Sequence, residues 1–234
     1  REGVIGGVHF TGDSSLDPAE FLRLLKDRVR ALGADLRENT PVTGFEISGE
    51  KITRVLTPQG GFEPSLVVLA AGAWSPRVAR GLRLNIPVQP ARGYSLTASA
   101  TQIMPRQAIL LGERRVAVTP MGDLLRFTGR LEIGNMSTAP NPKWIAAIER
   151  AVREYIQLDE KLNIRETWAG LRPTTPDGAP LIGFSSRHPN LILATGHAML
   201  GLSLGPGTGQ IVADLANGAP PPFDLRVFDP RRFA

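Results

Sequence analysis

The sequence predicts a mixed fold, α/β grading to α+β, and three observations carry that reading. Apolar residues recur at a helical period over Leu16–Leu32, and again over Lys143–Ile156. The short run Leu66–Ala71 is apolar on both faces, as in a buried parallel strand, and Gly72 ends it. Between Arg92 and Asn135, short alternating segments separated by tight turns favour an antiparallel sheet.

The elements follow in order. Asp17 before Pro18 reads as an N-cap with proline in the first turn, and Gly33 as the stop of the first helix. Ala34–Glu38, Thr40–Ser48, Lys51–Thr57 and Phe62–Ala70 read as strands, with turns at Ser48–Glu50 and Pro58–Gly61. Trp74–Gly81 reads as a short helix with Pro76 near its start. Ile86–Pro90 holds two prolines and marks a domain crossing. Strands are then expected at Arg92–Ser99, Ala108–Leu111, Val116–Pro120, Leu124–Thr128 and Arg130–Asn135. The helix Lys143–Ile156 follows, with Pro142 at its start, and then strands at Ile164–Arg172, Leu181–Phe184 and Leu191–Thr195. Gly201–Asn217 is a glycine-rich entry into an apolar helix, and a Pro-rich tail completes the chain. The expected domains are residues 1–86, 87–164 and a return to the first at 165–234.

Composition narrows the function classes. Hydrophobic content of 42% and charged content of 21% are those of an ordinary globular chain. The net charge of +5 is modest and its arginines are scattered, so no nucleic-acid partner is expected. Arg77, Arg80 and Arg83 share a helix face that reads as solvated. The chain has no cysteine, which excludes disulfides, thiolate metal sites and a cysteine nucleophile. No paired-histidine or HExxH spacing occurs, so no metal is expected, and no GxSxG elbow accompanies the serines. The opening REGVIGGVHF lacks a Met and reads as mid-domain sequence, so a longer protein is expected.

Two segments carry the chemistry: WAGLRPTTPDGAPLIG at Trp168–Gly183 and ATGHAMLGLSLGPGTG at Ala194–Gly209. Arg172 offers a planar fork that matches a carboxylate. Pro173 biases it to an extended backbone. Arg172 either holds a small acid or forms a structural pair with Asp177 or Glu166. The glycines after Ala194 either let backbone approach a flat ligand or form an ordinary loop. A following helix would aim its N–H groups at negative charge there. His197 either faces that ligand or bonds to backbone, whereas His9 and His188 read as structural. Tyr94, in PARGYSLT, either touches a bound acid or is a partly buried core residue. Arg92 and Arg126 serve an anionic ligand if they point inward and solvent otherwise.

At these residues the chain resembles the FAD-dependent oxidoreductases of the D-amino acid oxidase superfamily. Within it, the resemblance is greatest to the small subunit of bacterial D-amino acid dehydrogenases. The matching segments, in order, are LDPAEFLRLLKDRVRALGADL, VVLAAGAWSP, PVQPARGYSLT, GLRPTTPDGAPLIG and NLILATGHAMLGLSLGPGTGQIVADL. The resemblance implies oxidation of an amino acid, in the first place a D-amino acid, to the imino acid, then the 2-oxo acid and ammonia. Hydride would pass to flavin N5. It implies that Arg172 binds the substrate carboxylate, with Tyr94 a weaker pocket candidate. It implies that Val42, Ala70, Ala71, Gly72, Gly170, Gly196, His197, Met199, Leu200, Gly201, Leu202 and Ser203 contact FAD. It implies a cytoplasmic protein, with peripheral attachment to the inner membrane and a quinone acceptor as options. The family's opening strand–GxGxxG–helix unit does not occur in this sequence. The implied architecture is therefore an incomplete FAD-binding Rossmann-like domain plus an antiparallel-sheet substrate domain. A glycine or sarcosine oxidase-like activity stays open as an alternative. So does a non-catalytic binding module, or a fragment that does not retain FAD.

Overall fold

Helix α1 (Pro18–Ala31) starts where Asp17 accepts from the backbone amides of Ala19 and Glu20, at 2.9 and 3.3 Å. The computed structural model describes residues 3–99, 104–158 and 161–233. Strands β1 (Gly44–Ser48), β2 (Lys51–Thr57) and β3 (Gly60–Phe62) form an antiparallel sheet in that order. β4 (Val67–Leu69) leads through a 3-10 turn into helix α2 (Ser75–Arg80). β5 (Gln89–Ser99), β6 (Ile109–Leu111), β7 (Val116–Met121), β8 (Leu124–Ile133) and β9 (Ile164–Thr174) build a five-stranded sheet ordered β6-β7-β8-β5-β9. Helix α3 (Pro142–Arg153) lies between β8 and β9 in sequence. β10 (Leu181–Phe184) pairs antiparallel with β11 (Leu191–Thr195), which pairs parallel with β4. Helix α4 (Gly201–Ala216) follows.

The chain divides into two compact units, Arg1–Ala34 with Arg92–Leu171, and Asp35–Ala91 with Arg172–Ala234. In the first, alternation along β8 turns Leu125 and Phe127 into a core with Tyr94, Leu96, Ile148 and Val152, all fully buried. Gly129 belongs to that packing. A Cβ there would lie 3.0 Å from Val116 and 3.2 Å from Ile148. In the second unit Ile52, Ala79, Leu82, Leu181 and Leu191 form a separate core.

Buried polar side chains tie the second unit together. The Asn190 amide donates to the carbonyl of Ile52 and accepts from its N–H, at 2.8 and 3.0 Å. His188, 2% exposed, sets its ring nitrogens 2.7 Å from the carbonyl of Glu50 and 2.8 Å from that of Leu82.

The structure corrects several sequence expectations. Ala34–Glu38 is not a strand. The segment is polar and exposed, and no described strand pairs with it. Phe62–Ala70 splits into β3 and β4 around Pro64. The two strands expected between Leu124 and Asn135 are one strand, in which Arg130 takes a positive φ of 67°. β4 is an edge strand among the described residues rather than a central one, and Val68 is 42% exposed. The apolar stripe of α1 is also uncovered, for none of its residues is buried.

Candidate functional site

The two segments singled out in the sequence meet in the second unit. Ala198 donates its N–H to the carbonyl of Pro173 at 2.8 Å, and Thr174 and His197 form an isolated antiparallel bridge. The turn that follows β11 thus lies against the backbone just after Arg172. Gly196 takes φ +85°, and a Cβ on it would lie 2.7 Å from the Thr175 methyl. The parallel strands β4 and β11 end side by side, so Ala70–Gly72 and Gly196 issue from the same carboxyl edge. Ligands of open α/β sheets bind at such edges. Thr195 fastens the two exits, since its hydroxyl donates to the Gly72 carbonyl at 3.2 Å and bonds the Ser75 hydroxyl at 2.8 Å. Both hydroxyl residues are buried, and no spacing in the sequence announces them.

Arg172 is half-buried and its Nη1 is sealed from solvent without a hydrogen-bond partner. Burial lowers its affinity for a proton. Neither acid that could have paired with it does so. Asp177 holds Arg232 through two contacts, 2.8 and 3.0 Å, and Glu166 lies 3.5 Å from Arg126. A guanidinium left with an unsatisfied buried donor is costly unless an anion completes it. The sequence shows Arg232 only as part of a basic pair, yet it also reaches the carbonyls of Ala179 and Pro180 and pins the tail to this turn.

Helix α4 begins at Gly201, so the glycines at 205, 207 and 209 are helical rather than part of a loop. No side chain caps its first turn. The Leu200 N–H donates to the His197 carbonyl at 2.9 Å, and the amide end at Gly201–Ser203 presents the first N–H groups of the helix and the positive end of its dipole. Pro206 has no N–H to offer the Leu202 carbonyl. Met199, Leu200 and Leu202 are exposed around this end, at 72%, 55% and 41%. His197 sets Nε2 2.9 Å from the Thr208 hydroxyl, and burial pushes its pKa down.

The remaining expected residues are placed as follows. Ala71 and Gly72 lie at the β4 exit described above, and Val42 is exposed just before β1. Gly170 falls in the first unit, where the Trp168 ring occupies the space its Cβ would need. Tyr94 also falls in the first unit and is fully buried. Its hydroxyl donates to Glu132, which Arg92 also meets at 2.8 Å. Burial, and then the Glu132 contact, raises the phenol's pKa; the Tyr94 hydroxyl, and then Arg92, lowers that of Glu132. The Tyr94 hydroxyl is thus already committed, whereas Arg172 keeps a buried Nη1 without a partner. No helix among the described residues is long and apolar enough to cross a membrane.

Comparison with known proteins places this geometry. The DAO family, described as FAD dependent oxidoreductase, matches residues 1–215. A D-amino acid dehydrogenase of Paramagnetospirillum magneticum is 36% identical over 93% of this chain and 52% of its own length. One from Bradyrhizobium diazoefficiens is 30% identical over 100% of this chain and 56% of its own. The chain spans about half the length of the curated relatives it matches. Glycine oxidase from Geobacillus kaustophilus superposes with a TM-score of 0.77 at 26% identity, over 86% of this chain and 54% of its own. L-proline dehydrogenase from P. horikoshii superposes with a TM-score of 0.83 over 93% of this chain and 60% of its own; at 24% identity it speaks for the fold alone.

Proposed function

Because the chain belongs to the DAO family of FAD-dependent oxidoreductases, we propose that the protein carrying it oxidises an amino acid, with Arg172 as the carboxylate clamp. The observation that carries the reading is the buried, unpartnered Nη1 of Arg172. The names of the relatives favour a D-amino acid.

The residues present fit FAD. Gly196, at φ +85° and packed against the Thr175 methyl, sets the turn that leads from β11 to the start of α4. The uncapped start of α4 offers N–H groups where negative charge would gather on a reduced flavin. We assign the flavin to Gly196, His197, Met199, Leu200, Gly201, Leu202 and Ser203, and the rest of the cofactor to Val42, Ala71 and Gly72. When bound, FAD supplies the electron sink, its N5 accepting the α-hydrogen as hydride.

Arg172 binds the substrate carboxylate through two parallel charge-assisted hydrogen bonds, which also relieve its own desolvation. That contact fixes the α-carbon and selects one face for hydride loss. The amine must be neutral, since its lone pair forms the C=N bond as the α-hydrogen leaves with its electron pair. The amine then gives up a proton to solvent, and water hydrolyses the imino acid to a 2-oxo acid and ammonia. His197, tied to Thr208 and disfavoured as a cation by burial, adds polarity beside the turn. In a protein of its relatives' length, Arg172→Lys is expected to raise KM for amino acids by about 10- to 100-fold, as one arm of the fork is lost. An unchanged KM would remove Arg172 from this role.

A further inference from the structure

Two buried hydroxyls join the parallel strands of the second unit just where their backbones part. The β4–β11 ladder runs through Val67–Leu69 and Leu191–Leu193. Beyond it β4 turns through Gly72 into α2, and β11 turns through Gly196 towards α4. Ser75 lies at the start of the first exit and Thr195 at the end of β11, and they are 0% and 1% exposed. A buried hydroxyl costs free energy unless it is bonded, and valine would fill the volume of Thr195 without that demand.

The proton count gives the pair a direction. Thr195 Oγ1 donates to the Gly72 carbonyl at 3.2 Å, which uses its one proton. The Ser75 hydroxyl, 2.8 Å away, is therefore the donor to Thr195. The Gly72 carbonyl also accepts the Ser75 N–H. Two donors thus hold one carbonyl oxygen of a glycine at φ +53°, a residue otherwise free to turn. A Cβ on Gly72 would meet no described atom within 4 Å, so the other side of this turn is open. On the second exit, Gly196 follows Thr195 directly, and the Ala198 N–H reaches the Pro173 carbonyl at 2.8 Å. Thr195 therefore couples the Gly72 turn to the backbone next to Arg172.

We propose that Thr195, braced by Ser75, is a positioning residue for FAD, a latch that presets the spacing of the Gly72 and Gly196 turns. The inference rests on the assignment of Ala71, Gly72 and Gly196 to the cofactor. Two turns that meet one ligand bind it more tightly when their spacing is fixed beforehand, because the ordering is not subtracted from binding. The latch draws the Gly72 carbonyl inward and leaves the open side of that turn to the cofactor.

The test uses apoprotein of the relatives' length. Quenching of FAD fluorescence gives the dissociation constant, and the visible band of bound flavin reports its surroundings. Thr195→Val keeps the side-chain shape and removes the donor, and it should weaken FAD about tenfold and shift the band. Thr195→Ser, which keeps the hydroxyl, should restore the wild-type band and an affinity within about threefold of wild type. Ser75→Ala spares the Thr195–Gly72 bond and should weaken FAD less; added to Thr195→Val it should cost nothing further, since the latch is already broken. Wild-type affinity in a folded Thr195→Val overturns the proposal. So does a loss in Thr195→Ser equal to that in Thr195→Val, which would make the methyl the cause. Should Thr195→Val lose its far-ultraviolet dichroism, Ser75→Ala decides, and wild-type affinity there overturns the latch. Ser203→Glu separates this failure from that of the cofactor assignment, because it is an exposed change in the first turn of α4, outside the latch. FAD weakened by Ser203→Glu but not by Thr195→Val overturns the latch alone. FAD unchanged in both overturns the assignment of this edge to the cofactor as well.

Discussion

Replacing Gly196 with alanine probes how the turn beside Arg172 is built. Gly196 has φ +85°, where a side chain costs about 1–2 kcal/mol. The added Cβ would lie 2.7 Å from the Thr175 methyl, and overpacking of that kind costs about 1–3 kcal/mol more. Thr175 cannot swing away freely. It is 3% exposed, and its hydroxyl donates to the Ala179 carbonyl at 2.7 Å. Gly196→Ala is therefore expected to destabilise the second unit by about 2–5 kcal/mol. Thr175→Ser removes the obstructing methyl and keeps the hydroxyl bond. Added to Gly196→Ala, it should return the overpacking part and leave the backbone strain, a coupling of about 1–3 kcal/mol. Urea unfolding of the four proteins of the cycle, followed by tryptophan fluorescence, measures both quantities. A Gly196→Ala loss within about 0.5 kcal/mol of zero, or strictly additive single effects, would refute the turn geometry.

Further outcomes follow from the buried polar contacts. Arg232 holds the Asp177 carboxyl down at about 2, from an ordinary 3.8. A lowered folded pKa gives stabilisation that is present above about pH 4 and lost as the pH falls towards 2. The gap in melting temperature between wild type and Asp177→Asn should be constant above pH 4 and close over that window; a gap that persists at pH 2 contradicts it. His188→Ala removes the buried ring that sits between the carbonyls of Glu50 and Leu82, the second of them buried. Loss of one buried hydrogen bond costs about 1–3 kcal/mol, so the urea midpoint should fall, and an unchanged midpoint would mean that water takes over the contact. Tyr94→Phe should lower the melting temperature by freeing Glu132, while KM for an amino acid in the full-length protein stays the same. A raised KM would instead put the phenol in contact with substrate. Asp17→Ala removes the cap of α1 and should cost about 1 kcal/mol by urea unfolding.

Legibility from sequence tracks how local the cause is. β2 is bounded by its own turn residues, β10 and β11 are short continuous apolar runs, and the ends of all three match the expected ones. The Asp17–Pro18 start of α1 is likewise written within a few residues. Expectation fails where a partner distant in sequence decides. Ala34–Glu38 has strand length but nothing described to pair with, and Gly129 reads as a break until Ile148 packs over it. Glycine propensity argues for a loop at Gly205–Gly209, yet the helix runs through it from Gly201. The same division holds in the site. Arg172 beside Pro173 stands out locally, but whether it is a clamp or half of an ion pair depends on who claims Asp177. That claimant is Arg232, which lies 55 residues further along the chain. Its bidentate grip takes up an acid that the sequence offers to Arg172, and Arg172 keeps a buried Nη1 without a partner.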